Sequence, residues 1–248
     1  IRAGIDRKEQ ARRAQFVMQR LTRDAGLDDG DHVFGIDRQH LGHGAEIVWI
    51  DADDWRTKAA KEARAEALEA GKHVLCEKPI GVAVEEVEAL ADAVRRSGRV
   101  LQVGHMKRFD PGLQAARDFI TQEMGEMISM KGWYCDNTHR YTNTDAVQPL
   151  PIQSARARKP AVNPKADLRR YYMLAHGSHL FDTARYMAGD IVEVQARLSE
   201  RFGAYSWFID VAYASGAMGH LDLTVAVRMD WHEGLQIYGE HGSVLAKT

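Results

Sequence analysis

The sequence predicts an α/β chain in two parts, a helix-covered parallel sheet followed by an α+β domain on a mostly antiparallel open sheet. Three observations carry this. Short apolar runs alternate with Ala- and Glu-rich helical stretches between Ala45 and His105. That alternation stops after Phe109, where a linking helix follows. Beyond it come long strands of period two. The boundary falls at 108/109, giving domains 1–108 and 109–248.

The elements follow in order. "RKEQARRAQFVMQRLTRDAG" has helical spacing, with Ala14, Val17, Met18 and Leu21 on one side and Gly26 as a stop. Residues 28–44 carry turn chemistry throughout. "AEIVWI" is a short buried strand, and "TKAAKEARAEALEAG" a helix stopped at Gly71. "HVLCEKP" is the next strand, "VEEVEALADAVRRSG" a helix ended by Gly98, and "RVLQVGH" a third strand. In the second part, "PGLQAARDFITQEMG" is the linking helix and "EMISMKGWYCD" a strand. A long loop follows, holding four of the six prolines and the basic run Arg156 to Arg170. "HLFDTARYMAG" is a helix with Leu180, Phe181, Ala184 and Met187 on its apolar side. The strands "IVEVQARLSE", "SWFIDVAYA" and "GHLDLTVAVRM" come next; the last places Leu221, Leu223, Val225, Val227 and Met229 on one face. "YGEHGSVLAKT" reads as a strand pair.

Composition narrows the function. The 248 residues are 45% hydrophobic and 27% charged, ample for a core. A net charge of −2 gives no general reason to expect nucleic acid or an anionic membrane as partner. No apolar run approaches the roughly 20 residues that span a bilayer. Cys76 and Cys135 form neither a metal pattern nor a disulfide framework, so a reducing, cytoplasmic setting is expected, with Cys76 buried in its strand. The first residues mix Arg2, Arg7, Lys8, Arg12 and Arg13 with Asp6 and Glu9, which reads as a soluble helix rather than a leader. The chain begins at Ile1, and an incomplete or processed polypeptide is the expectation.

The chemistry-bearing stretch is Glu77-Lys78-Pro79. Ligands of a parallel α/β sheet bind beyond the carboxyl ends of the strands, and these residues sit at such an end. A lysine there can point into the cleft and donate to a substrate oxygen, while Pro79 stops the strand. An exposed strand-end charge pair is the plain alternative.

"EAGKHVLCEKPIGVAVEEVEAL", then "GRVLQVGHMKRFDPGL", then "HGSHLFDTARYMAGDIVEV" resemble the glucose–fructose oxidoreductase / inositol dehydrogenase / MocA family. The resemblance covers Ala45 to Thr248, and the chain looks truncated or divergent at both ends. It implies an N-terminal Rossmann-like domain for NAD or NADP. It also implies a C-terminal domain whose open sheet carries the substrate side and the contacts of a homo-oligomer, a dimer or tetramer. The implied reaction passes a hydride between the nicotinamide and a secondary alcohol of an inositol, sugar or sugar derivative. Position by position, Lys78 matches the catalytic lysine; Glu77, Lys78 and Pro79 shape the cofactor side. His179 matches the acid/base histidine, as a neutral imidazole suits removal of an alcohol proton. Asp182, one helical turn on, matches a supporting acid that orients the helix start or the histidine. His105, in the "GHMKRF" after the third strand, falls toward the nicotinamide end, with interdomain ion pairing the alternative for His105 and Arg108.

Two departures bear on the site. The family's D-x-G-x-H motif reads Ala175-His176-Gly177-Ser178-His179, so its acid is missing. His176 is expected to stand in, or Tyr171 or Tyr172, and Tyr172 and His176 join Lys78 and His179 as candidate substrate residues. No G-x-G-x-x-G follows a strand, and the turn after "IVWI" holds Asp51, Asp53 and Asp54, which would repel a pyrophosphate. His176 and His179, three apart, also fit a metal pair, but no further ligands join them and no metal is expected. Trp133, Tyr134, His139, Arg140 and Tyr141 are candidates to line a sugar pocket or simply to pack. The basic loop suits an acidic group or solvent. Two other readings stay open: a non-catalytic or regulatory relative with a degraded cofactor site, and an enzyme holding its cofactor tightly through a redox-cycled elimination or deglycosylation.

Overall fold

The computed structural model describes residues 47–50, 58–137 and 165–247. The expected N-terminal helix, the 28–44 loop, Asp51, Asp53, Asp54, His139, Arg140, Tyr141 and most of the basic loop lie outside them. The chain divides into two compact units. The first takes in the described residues up to Glu77 and Ala83–Gln102; the second takes in Lys78–Val82 and the described residues from Val103 onward.

The first unit holds β1 (Ile47–Ile50), α1 (Lys58–Glu69), β2 (His73–Cys76), α2 (Val84–Ser97) and β3 (Leu101–Val103) in a three-stranded sheet of order β1-β2-β3. β1 and β2 pair in parallel. Gly71 and Gly98 stop their helices at φ +78° and +64°, a left-handed conformation that costs glycine little. α2 turns Leu90 and Ala93 inward, and Val74 and Cys76 are buried on β2. Burial pushes the Cys76 thiol up, against the opposing pull of Arg64.

From Val103 onward the second unit holds a 3-10 turn at Met106–Phe109 and then α3 (Pro111–Gln122). Asp110 caps α3 by accepting from the backbone N–H of Gly112 and Leu113, and Pro111 takes the first helical position. Then come β4 (Met127–Asn137), α4 (Leu168–Tyr172), a π-helical turn (Met173–Gly177) and α5 (Ser178–Ala188). The strands β5 (Ile191–Arg201), β6 (Ala204–Tyr213), β7 (Met218–Val227), β8 (His232–Gly239) and β9 (Ser243–Lys247) complete it. The sheet order is β5-β6-β7-β4-β8-β9, antiparallel except for the parallel β4–β7 pair. Alternation does the sorting. Tyr205, Trp207, Ile209, Val211 and Tyr213 of β6 and Leu221, Leu223 and Val225 of β7 face a core that Leu113, Ala116, Leu180, Ala184 and Met187 close from α3 and α5. Two expectations need correction. β7 ends at Val227, so Met229 leaves the apolar face and is exposed. The helix predicted to begin near His179 is preceded by helical backbone from Leu168, capped by the Asp167 side chain on Arg170 N–H.

Candidate active site

Lys78 lies two residues past the end of β2, joined to Pro79 by a cis peptide. Its ammonium donates to the carbonyl oxygen of Ala175 at 2.6 Å. Ala175 stands where the motif acid is expected, so a neutral backbone acceptor meets the lysine there. That carbonyl belongs to the π-helical turn, a form of backbone that recurs at functional sites. Gly177 lets the turn close: a Cβ there would come within 2.6 Å of the Met173 sulfur.

The turn presents two histidines. His176 is buried, its Nδ1 3.1 Å from the Tyr134 hydroxyl and 3.5 Å from Asp136 Oδ2. Its ring lies against Tyr134 and stacks on Tyr172, with centroids 5.3 and 5.7 Å apart. His179 stacks parallel to Tyr134 at 6.3 Å, and its Nδ1 is buried with no hydrogen-bond partner. Burial first, then the charges of Lys78, Lys107, His105 and His176, push its pKa down to about 3. The imidazole is therefore neutral at ordinary pH.

His105 belongs to the same cluster. Burial lowers its pKa, against the pull of Asp182. Its Nδ1 is 3.6 Å from Asp182 Oδ2 and has no hydrogen-bond partner. Asp182 instead accepts two hydrogen bonds from Arg108, the Nε bond at 2.9 Å, and the hydrogen bonding raises the arginine's pKa. The acid expected to orient the histidine is thus engaged by Arg108. Both belong to the second unit, so the pair is internal to it.

The structure brings Lys78, His105, His176, His179 and Tyr172 into one neighbourhood of the second unit. Glu77 belongs to the first unit, where its charge acts on Cys76. Arg169 pairs with Glu200 and Arg170 donates to Val82 O, so the described end of the basic loop is used internally. Sequence reasoning missed Asp136, Lys107, Glu233 and Trp231. Lys107 pairs with Glu233 and lies 5.2 Å from the Trp231 ring centre; Trp231 in turn lies 6.2 Å from Tyr134. The legible signal for Asp136 was a carboxylate two places from Tyr134 on an apolar strand. Among the described residues no group of three or more His, Cys, Asp or Glu is placed to hold a metal.

Residues 43–105 match the family model described as "Oxidoreductase family, NAD-binding Rossmann fold", and residues 113–245 match the "GFO/IDH/MocA C-terminal domain". The fold and these matches define a two-part oxidoreductase architecture. The chain belongs to the Gfo/Idh/MocA family. Among its relatives, a levoglucosan dehydrogenase of Pseudarthrobacter phenanthrenivorans is 32% identical over 54% of this chain and 31% of the relative. An inositol 2-dehydrogenase of Rubrobacter xylanophilus is 27% identical over 72% of this chain and 47% of the relative. Among solved structures, a levoglucosan dehydrogenase with NADH and L-sorbose superposes with a TM-score of 0.64 at 22% identity, over 85% of this chain and 56% of that one. At that identity the likeness shows the fold. The chain spans about half the length of curated relatives such as the inositol 2-dehydrogenase.

Proposed function

We propose that this chain is the site-bearing part of an NAD(P)-dependent oxidoreductase acting on a secondary alcohol of an inositol, sugar or sugar derivative. The observation that carries the reading is the pairing of Lys78 with a neutral His179. One is a cation anchored on a carbonyl; the other is an imidazole whose buried Nδ1 has no hydrogen-bond partner. The relatives' dehydrogenase names support it.

The residues fit a nicotinamide cofactor on one count, the two buried, unpartnered imidazole nitrogens of His105 and His179, which suit a polar ligand end. Lys78, Pro79 and His105 would hold that end. When bound, the cofactor supplies the hydride acceptor. Lys78 donates to the substrate oxygen and stabilises the negative charge that grows on it. His179 accepts the hydroxyl's hydrogen bond, then its proton. The cations around His179 oppose its protonation in the free site, and a developing oxyanion beside Lys78 offsets them. His176 and Tyr172 line the substrate side.

Residues 1–108 and 109–248 are read as the dinucleotide and substrate domains, with Lys78 contributed at their junction in sequence. A homo-oligomer formed through the open sheet is part of the same reading; exposed apolar side chains such as Val192, Val194 and Phe208 support it. The free, buried Cys76 and Cys135 support a reducing, cytoplasmic setting. The test is a screen of polyols and sugars with NAD and NADP, following nicotinamide absorbance. Lys78→Met and His179→Ala are each expected to lower turnover by about 100-fold or more. Full turnover in both variants sinks the reading.

A further inference from the structure

We propose that Asp136 is the carboxylate of this site, a positioning residue that β4 supplies through His176 in place of the acid missing at Ala175. The inference rests on the oxidoreductase reading for its purpose, and on geometry alone for its existence.

Strand alternation should turn Asp136 and Tyr134 one way and Cys135 the other. Instead Tyr134, Cys135 and Asp136 are all buried, and the register of β4 against β7 is irregular between Cys135 and Asn137. A bulge at a strand end is a means of re-aiming a side chain. Asp136 Oδ1 accepts from the backbone N–H of Asn137 at 2.8 Å, which fixes the carboxylate. Oδ2 then lies 3.5 Å from His176 Nδ1. Both side chains are buried, 4% and 9% exposed, so water does little to screen the pair.

The chemistry decides the tautomer. A carboxylate only accepts, whereas the Tyr134 hydroxyl, 3.1 Å from the same nitrogen, either donates or accepts. The carboxylate 3.5 Å away favours the proton on His176 Nδ1, with Tyr134 accepting it. With the proton on Nδ1, the opposite ring nitrogen, Nε2, carries the acceptor lone pair. The groups around His176 include Asp136 and Tyr134 from β4, Tyr172 from α4, and His179 from α5, whose own charge state His176 opposes. With Tyr134 and Tyr172 against its faces, the ring has little freedom to turn.

The test is a long-range 15N–1H correlation spectrum of the imidazoles in the 248-residue chain without cofactor, His176 being assigned by the signal lost in His176→Gln. The expected result is an Nδ1–H His176 in the parent and in Tyr134→Phe, and an Nε2–H His176 in Asp136→Ala, where the tyrosine hydroxyl donates to Nδ1. An Nε2–H form in the parent, or an unchanged tautomer in folded Asp136→Ala, overturns the proposal. Should Asp136→Ala not fold, the parent and Tyr134→Phe decide: Nδ1–H in both supports it, Nε2–H in either overturns it. An Nδ1–H His176 in a chain that turns over no polyol or sugar sinks the oxidoreductase reading and supports this one.

Discussion

Lys78 Nζ meets the carbonyl oxygen of Ala175 at 2.6 Å. Among the described residues, the influences on His179, one helical turn further on, all disfavour the imidazolium. Ala175→Asp restores an acid about one turn from His179, and residues so spaced are neighbours on a helical surface. His179 is expected to titrate at least about one unit higher in that variant, as an opposite charge nearby favours the protonated ring. Histidine proton NMR across a pH series measures it; an unmoved His179 refutes the neighbourhood described.

The depressed pKa of His179 also sets an acid limb for stability. The folded group titrates near 3 and the unfolded group near 6.5, so between those values the unfolded chain binds more protons. Stability from this group is complete above 6.5 and falls as pH drops toward 3. The loss is on the order of 1.4 kcal/mol per pH unit. Urea unfolding of the parent and of His179→Gln at pH 7.5, 6 and about 5 should show a flatter acid limb in the variant.

Arg108 grips Asp182 with two nitrogens and also lies 5.3 Å from the Tyr186 ring centre. The Asp182 side chain is 10% exposed and the Arg108 side chain 43%, so solvent screens the pair in part. Arg108→Ala strands a largely buried carboxylate and is expected to cost about 1–2 kcal/mol by urea unfolding. Arg108→Lys should recover little, since an ammonium cannot form both bonds in that plane.

Gly177 packs its bare Cα under Met173 and Leu223. In Gly177→Ala the new methyl falls 2.6 Å from the Met173 sulfur and 3.4 Å from Leu223. The flexible methionine can yield, so a cost of about 1–2 kcal/mol is expected by thermal unfolding. A larger change in the Lys78–Ala175 contact would appear as a shift of the Ala175 carbonyl carbon resonance.

The strands of the second unit were legible because their period-two pattern reports one covered face, as the Leu221–Leu223–Val225 row shows. The helices of the first unit were legible from composition and from Gly71 and Gly98. The start of the helix bearing His179 was not, because Leu168 to Tyr172 follows a proline-rich basic run whose composition reads as loop; Asp167 as a cap was the available cue. Within the site, Lys78, His176 and His179 stood out by chemistry and spacing. Asp136 and Lys107 did not, since their meaning depends on contacts across 40 and 126 residues of chain that no local pattern encodes. The Arg108 partner of Asp182 was hidden for the same reason, lying 74 residues away.

The most direct test of the central claim is a fluorescence titration of the purified chain with NADH and NADPH, repeated with Lys78→Met. The account predicts saturable binding of one of the two, weakened in the variant. A folded chain that binds neither nucleotide would contradict it.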